Sequence, residues 1–261
     1  MRARIFYRVL LGLGLLYLFL PVFVVIAFSF NDFQGRRNVS WEGFTLRHWA
    51  DAFAVPDLTA ALRASLVIAL LSAAAATMLG TLIALALVRH RFRGRSTTNL
   101  LLFMPMATPE VVMGSSLLGL FVVGQVTRGF WTVLIGHILF NISFAVVTVR
   151  ARIMGLDGHY EEAAMDLYAN EWQTFRRVTM PMILPGVVAA FMLAFALSFD
   201  DFVITNFTSG NLQTFPTYVY GASRRGIPPQ VNVFGTMIFG VMVTATSLLL
   251  IYQGRRRREV V

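Results

Sequence analysis

The 261-residue sequence has no cysteine and no lysine, and only 13% of its residues are charged. Without cysteine there are no disulfides, no thiolate metal sites and no cysteine nucleophile. Without lysine there is no phosphate-binding loop of the GxxxxGK(S/T) kind and no Schiff-base chemistry, so the chain does not hydrolyse ATP by itself. The charged share is about half of the roughly 25% typical of globular domains. The hydrophobic share is 57%. A soluble chain so poor in charge could not cover its own surface, and the apolar excess must face lipid.

All 22 basic residues are arginine and the net charge is +9. In a soluble protein that balance would point to nucleic acid. Here the arginines stand in short clusters between apolar runs, which is the pattern of membrane topology. Six apolar stretches reach the length of about 20 residues that a bilayer demands. They fall at residues 9–30, 62–88, 98–123, 131–149, 182–204 and 233–252, and the third is interrupted by Pro105, Pro109 and Glu110. The first follows Met1-Arg2-Ala3-Arg4, but its apolar run is too long for a signal peptide and no small-x-small site precedes Asn31-Asp32; it is expected to be an uncleaved span. With both termini in the cytoplasm, 15 of the 22 arginines lie inside, and the outside keeps Arg36, Arg37, Arg47, Arg63, Arg128, Arg224 and Arg225. The positive-inside rule favours that orientation. The expectation is an all-α membrane protein of six transmembrane helices, one domain over residues 1–261. Ala76, Gly80 and Ala84 recur every four positions, either as a stripe for close helix approach or as filler in an alanine-rich helix.

The inner loop at residues 150–181 is the longest polar stretch on that side. Asp157 is placed to cap a helix whose first turn holds Glu161 and Glu162, where carboxylates suit the helix dipole. Ala163, Ala164, Leu167 and Tyr168 form an apolar strip, with Glu162, Asp166 and Asn170 on a polar one. A second short helix runs from Glu171 to Met180, carries Trp172, Phe175 and Val178, and is expected to stop at Pro181. Periodicity leaves two readings open: a docking element, or an amphipathic segment lying on lipid headgroups.

Glu162-Ala163-Ala164, followed by Val178-x-Met180-Pro181, resembles the EAA signature of ABC-importer permease subunits. That pattern is E-A-A, three residues, G, nine residues, then I-x-L-P, and the spacing here matches throughout. Tyr168 stands where the family has glycine, a departure that bears on the turn at that point. The resemblance implies a type I ABC-importer permease fold, with this loop seated in a groove of a separate cytoplasmic ATPase. The coupling residues it implies are Glu162, Ala163, Ala164 and Pro181, with Asp166 and Tyr168 beside them. It also implies a heterodimer with a second permease, two ATPase copies that use ATP and Mg, and a periplasmic solute-binding protein. No cofactor is expected on this chain.

Ser198-Phe199-Asp200-Asp201-Phe202-Val203-Ile204-Thr205, Phe207-Thr208-Ser209-Gly210, Arg225-Gly226-x-Pro228 and Met104-Pro105-x-x-x-Pro109-Glu110 further resemble spermidine/putrescine permeases. That group implies a polyamine solute, while its relatives also import other amines and organic solutes. Carboxylates inside spans are costly and are functional by default. Glu110 lies about 12 residues into the third stretch, roughly 18 Å at 1.5 Å per residue, hence near the midplane, and the two prolines before it suggest a broken helix of the kind that lines a transport site. Asp200 and Asp201 lie towards the outer end of the fifth. These acids read as a ladder for a polycation, with Phe199, Trp131 and Tyr220 as cation–π faces. Alternatively the Asp pair marks a span ending in water, and Glu110 bonds to the partner permease.

Two other classes compete. An intramembrane protease would need Ser115 or Ser116 with an oriented His137, and nothing in the sequence orients that histidine; two aspartates adjacent on one helix cannot form an aspartyl dyad. An ATPase-independent channel would explain the spans but not the docking loop.

Overall fold

The computed structural model describes residues 2–33, 38, 40–157 and 159–258. Arg36 and Arg37, which enter the topology count above, lie outside them. In lipid the backbone must bond to itself, and the long Leu-, Ala-, Val- and Met-rich runs do so as helices. The helices are α1 (Arg2–Phe28), α2 (Arg47–Ala50), α3 (Pro56–Arg89), α4 (Arg95–Ala107), α5 (Glu110–Val123) and α6 (Phe130–Met154). There follow α7 (His159–Asp166), α8 (Glu171–Thr174), a π turn (Phe175–Thr179), α9 (Met180–Asp200), α10 (Val203–Thr208), α11 (Phe215–Arg225) and α12 (Pro229–Arg258). Among the described residues there is no strand, only an isolated bridge between Asn31 and Phe44.

The chain divides into two compact units, Met1–Thr59 with Val219–Val261, and Ala60–Tyr218. In the first, α1 packs along α12. Gly235 allows that approach, since a Cβ there would stand 3.3 Å from Val25 Cγ1. The loop after α1 is braced by buried Asn31, whose Nδ2 donates to Asn38 Oδ1 (2.6 Å) and the Ser40 carbonyl (2.7 Å), while its Oδ1 accepts from Glu42 N–H (2.7 Å).

In the second unit α6 is the central helix, packed against α9, α4 and α10. The Ala76, Gly80 and Ala84 face of α3 is buried, and a Cβ on Gly80 would stand 2.7 Å from Ala145 Cβ on α6. The stripe is therefore a packing face rather than filler, and it lets α3 approach α6 to backbone distance.

Among the described residues five helices are long and apolar enough to cross a membrane, and the third apolar stretch is the pair α4 and α5, bent by 106°, the broken helix that its prolines suggest. Three expectations are corrected: the depth of Glu110, the end of the helix that carries Trp172, and the extent of the fifth stretch. Pro109 lacks an N–H and pushes Thr108 into an extended conformation (φ −81°, ψ 131°), so α4 cannot continue. Counting rise along a straight axis therefore does not give the depth of Glu110. The helix carrying Trp172 does not stop at Pro181: Glu171–Asp200 runs as one 30-residue apolar helix. The π turn before the proline makes this possible, because its wider pitch lets Met180 N–H bond back to the Phe175 carbonyl in place of the regular ladder that Pro181 would disrupt. Finally, the fifth stretch does not reach Ile204 as one helix; α9 ends at Asp200, Asp201 is extended (ψ 119°), and Ile204 belongs to α10.

Candidate functional site

The loop at residues 150–181 is shorter in helix and richer in turns than its periodicity suggests. Asp157 caps α7: its Oδ1 accepts from His159 N–H at 3.1 Å and from the imidazole Nδ1 at 2.5 Å. That side-chain bond holds the Asp157 carboxyl below the usual carboxylate range and His159 above its ordinary value. α7 ends at Asp166, so Leu167 and Tyr168 lie in the following turn, not on the helix face expected for them. Asn170 likewise leaves the expected polar strip to cap α8, its Oδ1 accepting from Gln173 N–H (2.8 Å).

The turn bears on the position where the resemblance implies a glycine. Tyr168 adopts φ +61°, the left-handed conformation that glycine enters without a Cβ penalty. Its N–H bonds to the Met165 carbonyl (2.9 Å) and Ala169 N–H to the Ala164 carbonyl (3.1 Å), the paired bonds of a Schellman cap. The backbone thus keeps the turn that glycine would give, and the tyrosine side chain is 98% exposed. Its cost is about 1–2 kcal/mol for a non-glycine residue in this region. Tyr168→Gly is expected to stabilise the turn by about 1 kcal/mol and to slow tryptic cleavage at Arg176 and Arg177 about fivefold. An unchanged cleavage rate would show that the conformation carries no strain.

Tyr160, Met165, Leu167, Tyr168 and Trp172 are all exposed apolar side chains on this one loop. Glu162, Ala163, Asp166 and Pro181 are exposed as well, and Ala164 is half-buried. The residue that sequence reasoning missed is the neighbour, Glu161. Its Oε1 accepts from Arg89 Nη2 and from Thr179 Oγ1, both at 2.6 Å, tying α7 to the end of α3 and to the π turn. Both charges were visible in the sequence; their pairing across 72 positions was not.

The three acids have different surroundings. Glu110 opens α5, exposed in its first turn, where a carboxylate suits the helix dipole. Its helix packs on α10 through Gly114, where a Cβ would stand 2.6 Å from Phe207 Cδ2. Asp200 is the exposed last residue of α9. Asp201 turns inward, with a side chain only 5% exposed. Its Oδ2 accepts from Thr205 N–H and Thr205 Oγ1, both at 2.8 Å, and its Oδ1 accepts from Ile204 N–H at 3.3 Å, so it caps α10. All its strong contacts are internal, which leaves Glu110 and Asp200 as the exposed members of the expected ladder.

The aromatic faces also differ. Phe199 is buried between Phe195 and Phe215, with ring centroids at 6.2 and 5.8 Å. Tyr220 already carries a cation: the Arg224 guanidinium lies 5.1 Å from the ring centroid, and its Nη2 donates to the phenol oxygen at 2.7 Å. Trp131 is 71% exposed. Among the described residues no group of three or more His, Cys, Asp or Glu could hold a metal ion.

The expectation that nothing orients His137 is also corrected. Its Nδ1 lies 2.7 Å from Ser198 Oγ, and its Nε2 lies 2.9 Å from Thr205 Oγ1 and 3.2 Å from Asp201 Oδ2. Ser115 and Ser116, the serines that a protease would use, donate instead to the Val112 carbonyl. Ser198 is buried inside α9, out of reach of a peptide substrate.

Comparison with known proteins agrees with this architecture. The chain is 38% identical over 237 residues to the spermidine/putrescine transport system permease protein PotC of Escherichia coli (strain K12), covering 89% of each chain. It is 36% identical over 242 residues to the putrescine transport system permease protein PotI of the same strain, covering 90% of this chain and 85% of that one. Among solved structures, a bacterial ABC transporter involved in the import of the acidic polysaccharide alginate superposes with a TM-score of 0.67 at 17% identity, over 98% of this chain and 96% of that one. Its likeness is one of fold. Residues 76–258 match a single family over more than half the sequence, and the apolar helices match its location. The chain is a multi-pass membrane protein that belongs to the binding-protein-dependent transport system inner membrane component family.

Proposed function

We propose that this chain is one permease subunit of an ATP-driven ABC importer that carries putrescine and spermidine inward across the bacterial inner membrane. The observation that carries the transport role is the docking loop: a short capped helix and turn, anchored from behind by Glu161 and presenting exposed apolar side chains from Tyr160 to Trp172. An apolar surface of this kind on a polar loop fits a protein partner, here a cytoplasmic ATPase that supplies the ATP and Mg chemistry. Glu162, Ala163, Ala164, Asp166, Tyr168 and Pro181 form the coupling surface in this reading. The polyamine assignment is supported by the names and identities of the relatives, PotC and PotI.

The α4–α5 pair counts as one broken span, which makes six, and both termini are cytoplasmic, the side that holds 15 of the 22 arginines. A second permease completes the pathway, two ATPase copies drive it, and a periplasmic protein delivers solute. Closure of the ATPases moves the loop, and rocking of the helices alternates access. Glu110 and Asp200 are the carboxylates that meet the cationic solute, with Trp131 a cation–π face.

Uptake of labelled putrescine and spermidine in cells lacking this chain, against complemented cells and a neutral solute, tests the reading. Loss and rescue of amine uptake alone is the expected result; equal uptake of both amines with and without the chain would overturn it. Glu110→Gln is expected to raise the half-saturating amine concentration about tenfold, equivalent to ~1.4 kcal/mol. An unchanged value would make that carboxylate structural.

A further inference from the structure

A line of buried polar side chains runs through the second unit and is used by nothing described so far. Ser72 on α3 donates to Ser198 Oγ on α9 at 2.8 Å. With the Ser198 oxygen accepting that proton, its own hydroxyl donates to His137 Nδ1, at 2.7 Å. The imidazole then carries its proton on Nε2, which faces Thr205 Oγ1 at 2.9 Å and Asp201 Oδ2 at 3.2 Å. Thr205 in turn donates to Asp201. In this arrangement each hydroxyl and imidazole hydrogen of the line has an acceptor. Ser72, His137, Ser198 and Thr205 are buried.

The place of His137 is specific. α9 ends at Asp200 and α10 starts at Val203, with extended backbone at Asp201 between them. His137 bonds Ser198 on the α9 side of that break, Asp201 within it and Thr205 on the α10 side. Its neighbour Gly136 brings α10 against α6, for a Cβ there would stand 3.0 Å from Ile204 Cγ2. Asp200, exposed at the break, takes its direction from the residues on either side of it.

We infer that His137 is a positioning residue for transport: by fastening both sides of the α9–α10 break it fixes the direction in which the Asp200 carboxylate meets the solute. The role of Asp200 rests on the importer reading above; the fastening of the break does not.

Because the chain has no cysteine, Asn206→Cys on the exposed face of α10 provides a sole thiol. Its labelling by a charged, membrane-impermeant thiol reagent in vesicles reports the geometry of the break, and putrescine uptake kinetics with the partner subunits report function. His137→Leu roughly keeps the volume and removes all three contacts. It is expected to raise the labelling rate and the half-saturating putrescine concentration about tenfold each, at unchanged membrane abundance. His137→Gln retains an amide donor towards Asp201 and Thr205 and is expected to stay within about threefold of the parent. Ser72→Ala, at the end of the line remote from the break, should leave both readouts unchanged. Should the Leu variant fail to accumulate, Ser198→Ala removes the His137 contact on the α9 side of the break. Parental labelling and half-saturation in the Leu variant or the Ser198→Ala variant would overturn the inference, as would equal impairment by Gln and Leu. Absence of putrescine uptake by the parent would overturn the polyamine reading alone, since labelling needs no solute and decides the fastening of the break.

Discussion

Glu162→Ala is expected to abolish uptake while leaving the protein in the membrane and its loop folded; Glu161→Ala, one position earlier, is expected to loosen the loop itself. Glu162 is exposed on α7, so truncating it removes a contact with whatever docks there and little else. Glu161 accepts two short bonds, from Arg89 and Thr179, and the Arg89 and Glu161 side chains are only 30% and 19% exposed. Charge-assisted bonds sheltered to that degree hold the loop by about 1–3 kcal/mol. Tryptic cleavage at Arg176 and Arg177 in inside-out vesicles separates the two effects. The Glu161→Ala variant should be cut roughly 5–30 times faster than the parent, and the Glu162→Ala variant at the parental rate. Binding of the purified ATPase should be lost in the second variant with the loop intact. Normal uptake by the Glu162→Ala variant would remove the coupling role from that residue, whatever the loop does.

Asp201→Ala should cause the largest loss of stability of any single change considered. The carboxylate accepts from two backbone N–H groups in the first turn of α10, from the Thr205 hydroxyl and from His137, in a setting where its side chain is 5% exposed. Alanine leaves the two backbone N–H groups and the Thr205 hydroxyl without their acceptor, and leaves His137 Nε2 with Thr205 Oγ1 alone. Orphaned buried donors cost ~1–3 kcal/mol each, and breaking a buried paired group as a whole costs about 3–5 kcal/mol. For a chain of this size that corresponds to a fall of roughly 10 °C in the melting temperature of the detergent-solubilised protein. Asp201→Asn keeps one acceptor and should lose about half as much. Asp200→Ala, next door but exposed, is expected to leave the melting temperature within about 1–2 °C, because surface changes cost ~0.5 kcal/mol or less, and to act on amine uptake instead. Equal melting temperatures for the Asp200→Ala and Asp201→Ala variants would refute the division of labour between the two aspartates.

Everything legible in the sequence was local along the chain. Lipid leaves backbone groups no partner but one another, so a sufficiently long apolar run becomes a helix wherever it ends up in the fold. The spacing from Glu162 to Pro181 lies within one short stretch of chain, so it could be read from the sequence, whereas the helix that runs on through Pro181 could not. The prolines at 105 and 109 announced a break, because a missing N–H is a property of the residue itself.

What the tertiary structure alone decided is how the polar residues are shared out. Arg89 meets Glu161 across 72 positions, His137 meets Ser198 across 61, and Ser72 meets Ser198 across 126. Such pairs depend on which helices lie side by side and on their rotation, neither of which hydrophobic periodicity encodes on helices apolar nearly all round. Two adjacent aspartates look alike in sequence; a break in the helix sends one to solvent and locks the other inside. Tyr168 reads as a departure from its family until the backbone shows that the turn needs only a positive φ, which a tyrosine can adopt at a cost of about 1–2 kcal/mol.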